Sequence, residues 1–201
     1  MSKDELVERL HRIYAAVSET VEGDLAKFPP KVISDEKGFS MYQDFLGGLS
    51  DSQISNYVYG LVHNIANLPD HLKRWARKNG HDSDCVDQVF YKSEDFKLIK
   101  DLSNNDKHGY PPRDGGYSGI SPQLVDVSRI FRAKTQARPG SFVGITLTSS
   151  GPKQIGDGAS LVIITGNIVD GNGVVVGDCQ NVCLNAIAIG EQEMKMWGVI
   201  V

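Results

Sequence analysis

The residues with the clearest potential for chemistry lie between Phe96 and Pro112, where charged and amide side chains gather around one histidine. Asp101, Asn105 and His108 follow each other at spacings of four and three residues, so a helix would place them on one polar stripe beside its apolar face. A histidine in such a setting can act as a general acid or base, with a nearby cation to stabilise developing charge. The candidate catalytic residues are Lys100, Asp101, Asn104, Asn105, Lys107 and His108.

The same stretch also has the features of an ordinary helix end. Gly109 is a favourable residue just beyond a helix, and the following Pro111 and Pro112 cannot continue one. Lys107 and His108 in a last turn would meet the negative end of the helix dipole. Two interpretations therefore stay open, a catalytic cluster and a helix cap, and we favour the cap.

A second candidate site is a basic patch near the end of the preceding long helical pattern. Its members are His71, Lys73, Arg74, Arg77 and Lys78. We favour the interpretation that these cations complement the helix dipole on a solvated face, although the patch could also hold a phosphate backbone. Because the net charge is −4 and the pI is near 5.7, any binding to nucleic acid must be local.

The composition and the length of the apolar runs indicate which class of protein this is. The chain has 201 residues, of which 40% are hydrophobic and 23% charged, enough for one substantial core or two small modules. No secretory signal is visible, and no apolar run approaches the roughly 20 residues of a membrane helix. We therefore expect a cytoplasmic protein without a membrane partner.

The three cysteines do not describe a disulfide framework, and we expect free thiols. Cys179 and Cys183 are one turn apart on an apolar helix face, where small buried side chains are expected. His81 and Cys85 have metal-compatible spacing, but no second such pair lies near in sequence. The sequence predicts neither a metal site nor a cofactor.

The first half of the chain has mainly helical periodicity. Apolar spacing predicts a helix over residues 3–22, an ordered connection over 24–48, and one long helix from about 51 to 79, kinked rather than stopped at Pro69. A further helix begins near Cys85 and continues or restarts at Ser93 on its way to His108. Within the connection, a short helix is suggested by Met41, Tyr42, Phe45 and Leu46.

The second half changes to strand-like patterns after a loop rich in glycine and proline at 109–123. Alternation predicts strands around 125–133, 143–147 and 161–165, and Asp170-Gly171-Asn172-Gly173 predicts a hairpin that joins 167–169 to 174–176. Asp178 is the expected N-cap of a final helix that Gly198 ends.

These elements predict an α+β fold in which an N-terminal helical bundle is followed by an antiparallel meander of about four strands. The expected division is a bundle at 1–108, the loop at 109–123, and the sheet with the last helix at 124–201. We expect the C-terminal helix to pack back against the helical half, which would make the chain one intertwined unit.

Residues 50–110, a long helix followed by one that ends in Asn104-Asn105-Asp106-Lys107-His108, resemble the HEPN superfamily of helical bundles. Many members are metal-independent RNA endonucleases that carry an arginine, four to six further residues and a histidine, and complete their site by dimerisation. His108 matches this histidine. No arginine stands at the required spacing, and the nearest upstream cation considered is Lys100, with seven residues between it and His108. The resemblance implies possible RNA binding by a homodimer.

No complete metal, nucleotide or nucleophile constellation is present in the sequence. The preferred expectation is therefore a non-enzymatic cytoplasmic protein that self-associates or binds a partner through its aromatic loop and its sheet. The alternative is a HEPN-like endoribonuclease or an inactive relative of one.

Overall fold

The computed structural model describes residues 1–35, 38–111, 114–148 and 151–200. Its helices are α1 (Lys3–Glu19), α2 (Asp51–Ala66), α3 (Leu68–Asn79), α4 (Asp84–Phe90), α5 (Glu94–His108) and α6 (Cys179–Met196), with a 3₁₀ turn at Leu25–Lys27. Its strands are β1 (Val21–Glu22), β2 (Lys31–Asp35), β3 (Gly38–Tyr42), β4 (Gln123–Lys134), β5 (Val143–Thr148), β6 (Gly151–Gly156), β7 (Ala159–Val169) and β8 (Val175–Asp178). The expected α+β class, with antiparallel sheets and a C-terminal helix, is confirmed.

Side-chain caps fix where the helices begin. Ser2 and Ser50 each form a reciprocal capping box, with Glu5 and Gln53 respectively. The Ser93 hydroxyl accepts the Phe96 N–H at the start of α5, so this helix restarts after α4 rather than continuing it. Asp178 caps α6, as the sequence predicts.

The long helix predicted over 51–79 is two helices, so the expected kink at Pro69 is wrong. Asn67 closes α2 and opens α3, and Pro69 falls in the first turn of α3. A proline costs nothing there, because the first N–H groups of a helix have no partner within it. The apolar register nevertheless continues from Ile65 through Leu68 to Leu72, all fully buried.

The connection at 24–48 contains more regular structure than its sequence suggests. Strands β2 and β3 pair as an antiparallel hairpin, and Met41 and Tyr42 lie in β3 rather than in a short helix. Cross-strand hydrogen bonding determines this structure and outweighs the weak helical spacing. The short β1 joins the main sheet.

The main sheet is not a sequential meander, because β7 is its central strand. Strand β4 pairs along the whole of β7, while β1 and β8 pair with different parts of β7, at residues 162–163 and 167–169. Strands β5 and β6 form a separate hairpin. The predicted strands at 161–165 and 167–169 are both parts of β7, and β6 has no counterpart among the predicted strands.

The principal core gathers buried apolar residues from α1 through α6 and from β7. Helix α6 comes especially close to the start of α3 at Gly190, where a Cβ would lie 2.4 Å from the Leu68 side chain. Cys179 and Cys183 are buried free thiols in this core, as expected. A smaller cluster beneath the N-terminal connection contains Leu25, Phe28 and Val162. In the described part of the chain, none of the helices combines the length and the apolar character that crossing a membrane requires.

Candidate functional site

The C-terminal half of α5 carries the predicted polar stripe. The helix ends at His108, and Gly109 takes a left-handed conformation, with φ of +74°, while its N–H donates to the Asn105 carbonyl at 2.7 Å. The expected role of Gly109 as the residue that terminates the helix is confirmed. The contacts of each residue in the stripe decide which of them are available for chemistry.

Asp101 is buried and fully engaged with the loop that follows α5. Its carboxylate accepts the Tyr117 N–H at 2.9 Å, the Ser118 N–H at 2.8 Å and the Ser118 hydroxyl at 2.7 Å. Only 1% of its surface is exposed. These bonds compensate the carboxylate for leaving water, so Asp101 is an anchor for the loop.

Asn105 forms a second anchor one turn later. Its side-chain Nδ2 donates to the Pro122 carbonyl at 2.6 Å, close to the start of β4. Its Oδ1 is buried and has no hydrogen-bond partner among the described residues. The Asn105 side chain therefore ties the end of α5 to the start of β4.

The remaining candidates are not assembled around His108. Lys100 is half-buried, and its Nζ donates to the Ala66 carbonyl at the end of α2 at 3.4 Å. Burial lowers the pKa of Lys100, and the nearby Lys107 adds to this effect. Lys107 and His108 are both exposed, with the His108 ring 6.0 Å from that of Tyr110.

Asn104 lies elsewhere. It borders a separate recess together with Asp101, Asp114, Gly116 and Tyr117. The stripe lies on one face of α5, as its spacing predicts. The loop covers the first half of the stripe and leaves the last turn of the helix in solvent. The structure therefore brings Asp101 and Asn105 to the loop and does not bring either to His108.

The predicted basic patch is also divided. Lys73 forms ion pairs with Asp70 at 3.4 Å and Asp87 at 2.9 Å, and Arg77 donates to the Ser83 hydroxyl at 3.3 Å. The other members are His71, which is half-buried, and Arg74 and Lys78, which are exposed. Only part of the patch is therefore free to meet an anion.

His63, which joins α2 to α5, was not among the residues predicted from the sequence. Its Nδ1 lies 2.9 Å from the Ser103 hydroxyl and its Nε2 lies 2.8 Å from the Asp106 carboxylate. The simplest proton assignment has Nε2–H donating to Asp106 and Nδ1 accepting from Ser103. The set contains the residue types of a nucleophilic triad, but Ser103 is completely buried, so its hydroxyl cannot reach a substrate.

A cleft of about 300 Å³ lies beside His63 and Asp106, between α2, the end of α5 and the start of β4. We call it the tyrosine cleft. Its lining residues are Tyr59, Leu102, Asn105, Asp106, Gly109, Tyr110, Pro111, Gln123 and Leu124. Asp106 is the one charged side chain among them. Burial raises the pKa of the Tyr59 hydroxyl, and the Asp106 carboxylate raises it further. The tyrosine cleft is therefore aromatic and rich in acceptors, and its charged group among the described lining residues is the Asp106 carboxylate, which also accepts from His63.

Only part of this cleft had a signal in the sequence. Asn105 and the aromatic loop residue Tyr110 were recognised, while Tyr59 and His63 were not. Tyr59 and His63 are four residues apart beside the apolar face of α2, and this helical spacing could have identified them as neighbours.

The described residues contain no group of three or more histidine, cysteine or acidic side chains placed to hold a metal ion. No model of a known protein family, no curated protein and no solved structure matches this chain.

Proposed function

We propose that the protein is a cytoplasmic binding protein, and that the tyrosine cleft receives a basic side chain, lysine or arginine, from a partner protein. The observation that carries the proposal is the position of the Asp106 carboxylate in the wall of this cleft, among aromatic and acceptor groups. The free state of all three cysteines supports a reducing compartment.

The chemistry of the cleft favours a cation that can donate hydrogen bonds. A carboxylate that accepts from a guanidinium or ammonium forms a stronger bond than a neutral pair does. Tyr59 and Tyr110 add ring faces, which attract a cation by about 0.5–2 kcal/mol according to its desolvation. Gln123 adds a side-chain amide to the same wall. An anionic ligand would meet repulsion from Asp106, and the described residues of the lining include no cation.

The loop anchors prepare this cleft for binding. Asp101 holds the loop at Tyr117 and Ser118, and Asn105 holds it at Pro122. Tyr110 is 61% exposed, so its ring is accessible to a ligand in the cleft. Pre-organisation of this kind lowers the entropy lost on binding.

The test uses a charged ligand and its neutral near-isostere. N-acetyl-arginine methylamide and the corresponding citrulline compound are titrated into the ¹⁵N-labelled protein at low salt, and the amide shifts of residues 105–110 are followed by NMR. We expect the arginine compound to bind in about the millimolar range, with citrulline roughly tenfold weaker or undetectable. Lysine should behave as arginine does, with a smaller effect from the rings.

Two variants and one control make the result specific. Asp106→Asn should abolish the preference for arginine, and Tyr110→Ala should weaken binding several-fold without unfolding, because this ring is exposed. The control is Asp95→Asn, on the same helix but bonded to Asn185 rather than near the cleft. Equal binding of arginine and citrulline, or an unchanged preference in Asp106→Asn, contradicts the proposal.

Self-association is a second candidate, and it is favoured by the free edge of β8. Val174, Val175 and Val176 are exposed in succession, with fractions of 59%, 59% and 42%, and no charge interrupts them. The opposite edge of the sheet, β4, carries charged side chains and a bulge between Val125 and Ser128. Proteins protect sheet edges in this way against pairing, and β8 lacks that protection. Sedimentation should show a homo-oligomer that Val175→Lys dissociates, and a monomeric wild type would exclude this candidate.

A HEPN-like endoribonuclease remains the alternative for His108. In one copy of the chain, the described residues place Lys100 at the Ala66 carbonyl and give His108 no ion pair. A catalytic cation would therefore have to come from a second copy, as the resemblance implies. This alternative predicts RNA cleavage without metal.

A further inference from the structure

A second recess of about 390 Å³ lies between α1 and α3, and we call it the arginine groove. Its lining residues are Met1, Glu5, Glu8, Arg9, Arg12 and Arg74. It contains one member of the predicted basic patch, Arg74, and adds two cations from α1 that the patch did not include. It shares no residue with the tyrosine cleft.

Both acidic residues of the arginine groove are already engaged. Glu8 accepts from Arg12 at 2.6 Å, and Glu5 forms the capping box with Ser2. The capping bond with Ser2 is the main reason that the pKa of Glu5 is lowered. Glu8 is thereby paired with Arg12, and the Met1 ammonium lies 3.6 Å from the Glu5 carboxylate, so both carboxylates have cationic partners other than Arg9 and Arg74.

Arg9 and Arg74 have no such partner. None of the hydrogen bonds or ion pairs among the described residues includes either guanidinium, although both line the same groove from adjacent helices. An arginine holds its charge at any accessible pH, so two unpaired guanidiniums that line one groove repel each other. An anion placed between them would remove this repulsion.

The surroundings of His71 support the same conclusion. Burial lowers the pKa of His71, and Arg9 and Arg74 lower it further, while Asp70 opposes them. Both arginines therefore lie close enough to this imidazole to affect its charge. The His71 Nδ1 is buried without a partner, so the imidazole carries no bond that would offset the positive field.

We infer that the arginine groove binds a phosphate group, held between the guanidiniums of Arg9 and Arg74. Phosphate fits because a guanidinium can donate two parallel hydrogen bonds to its oxygens, and because a charge near −2 balances two arginines. Arg12 adds positive charge to the groove, but its guanidinium already donates a hydrogen bond to Glu8. The inference is independent of the proposed function, since its site and its ligand charge are different.

The experiment titrates the full chain with inorganic phosphate, with adenosine 5′-monophosphate and with a short single-stranded RNA, at low and constant ionic strength, and follows binding by NMR and calorimetry. Arg9→Gln and Arg74→Gln should each weaken phosphate binding roughly tenfold, and the double variant should not bind. The matched control is Arg77→Gln, one turn away on α3, whose guanidinium donates to Ser83 outside the groove. Its affinity should equal that of the wild type.

The His71 imidazole provides a readout within the protein. Phosphate should raise the His71 pKa in the wild type, because the anion cancels part of the arginine field, and should leave it unchanged in the double variant. Absence of phosphate binding by the folded wild type, or equal weakening by Arg77→Gln, overturns the inference. Binding of inorganic phosphate and the monoester alone assigns the site to a terminal phosphate, whereas RNA binding with the same arginine dependence assigns it to a nucleic-acid backbone.

Discussion

The Asp101 carboxylate lies directly against Gly116, so closely that a Cβ at position 116 would come within 2.5 Å of Asp101 Oδ1. Gly116 also has a φ of +73°. The glycine allows the loop backbone to approach the buried acid, and the acid in turn receives the N–H groups of the next two residues. Asp101, which looked catalytic in the sequence, therefore depends on the loop glycine Gly116. The close contact explains why position 116 is a glycine, and the two donated N–H groups explain why position 101 is an acid.

Gly116→Ala should destabilise the protein by about 3 kcal/mol or more, because it combines a left-handed backbone with a clash against a buried carboxylate. The measurement is urea unfolding followed by circular dichroism. The matched substitution is Gly60→Ala in α2, where a Cβ meets nothing within 4 Å. It should stabilise the protein by about 0.8 kcal/mol, as expected for an exposed helix interior. Equal effects at the two glycines would contradict this account of the loop.

Glu193 provides a pH-dependent prediction. Its side chain is 3% exposed in α6, and no hydrogen bond or ion pair of its carboxylate is present among the described residues. Burial raises its pKa above the ordinary value of 4.5. The folded state then keeps the proton to higher pH than the unfolded chain does, so the free energy of unfolding falls as pH rises from 4.5 to the higher folded value.

Glu193→Gln should therefore stabilise the protein at pH 7 by about 1 kcal/mol, and this advantage should vanish below about pH 4. Denaturant unfolding at a series of pH values measures it. Glu8→Gln serves as the comparison, because that carboxylate is exposed and paired with Arg12. An advantage for Glu193→Gln that persists in acid would mean that the gain comes from packing rather than charge.

His108 distinguishes the binding protein from the ribonuclease. Purified wild type and His108→Ala are incubated with total RNA in EDTA, and we expect no cleavage by either. The variant should lose only about 0.3–1 kcal/mol of stability, since an exposed histidine at a helix end contributes mainly through the dipole. Metal-independent cleavage that falls by about 10²-fold or more in the variant would instead establish the ribonuclease alternative.

Local signals in the sequence were sufficient for much of the fold. The end of α5 at Gly109 and the start of α6 at Asp178 follow from the residue types at those positions. Strand β6 had no such signal, because Gly151, Pro152 and Gly156 are unfavourable for strands and its pairing with β5 determines its structure. The position of β1 beside β7 also depends on tertiary contacts.

The candidate site was harder to predict than the fold. The stripe of Asp101, Asn105 and His108 could be placed on one face from spacing alone. That Asp101 binds the loop at Tyr117 could not, because this contact joins segments whose spatial relation no periodicity encodes. The contacts of His63 could not be predicted for the same reason, since its partners Ser103 and Asp106 belong to a different helix, although its spacing of four residues from Tyr59 was a local signal.

The central place of β7 has a consequence for how the chain folds during synthesis. Val21 pairs with Ile163, and the Ile164 N–H donates to the Thr20 carbonyl, so the end of α1 completes its hydrogen bonding only after most of the chain has been made. Helices α2 to α5 can associate earlier through contacts that are closer in sequence. The end of α1 and the strand β1, although they leave the ribosome early, therefore gain their strand partner only after β7 emerges, whereas the apolar face of α1 can already pack against α2 and α3.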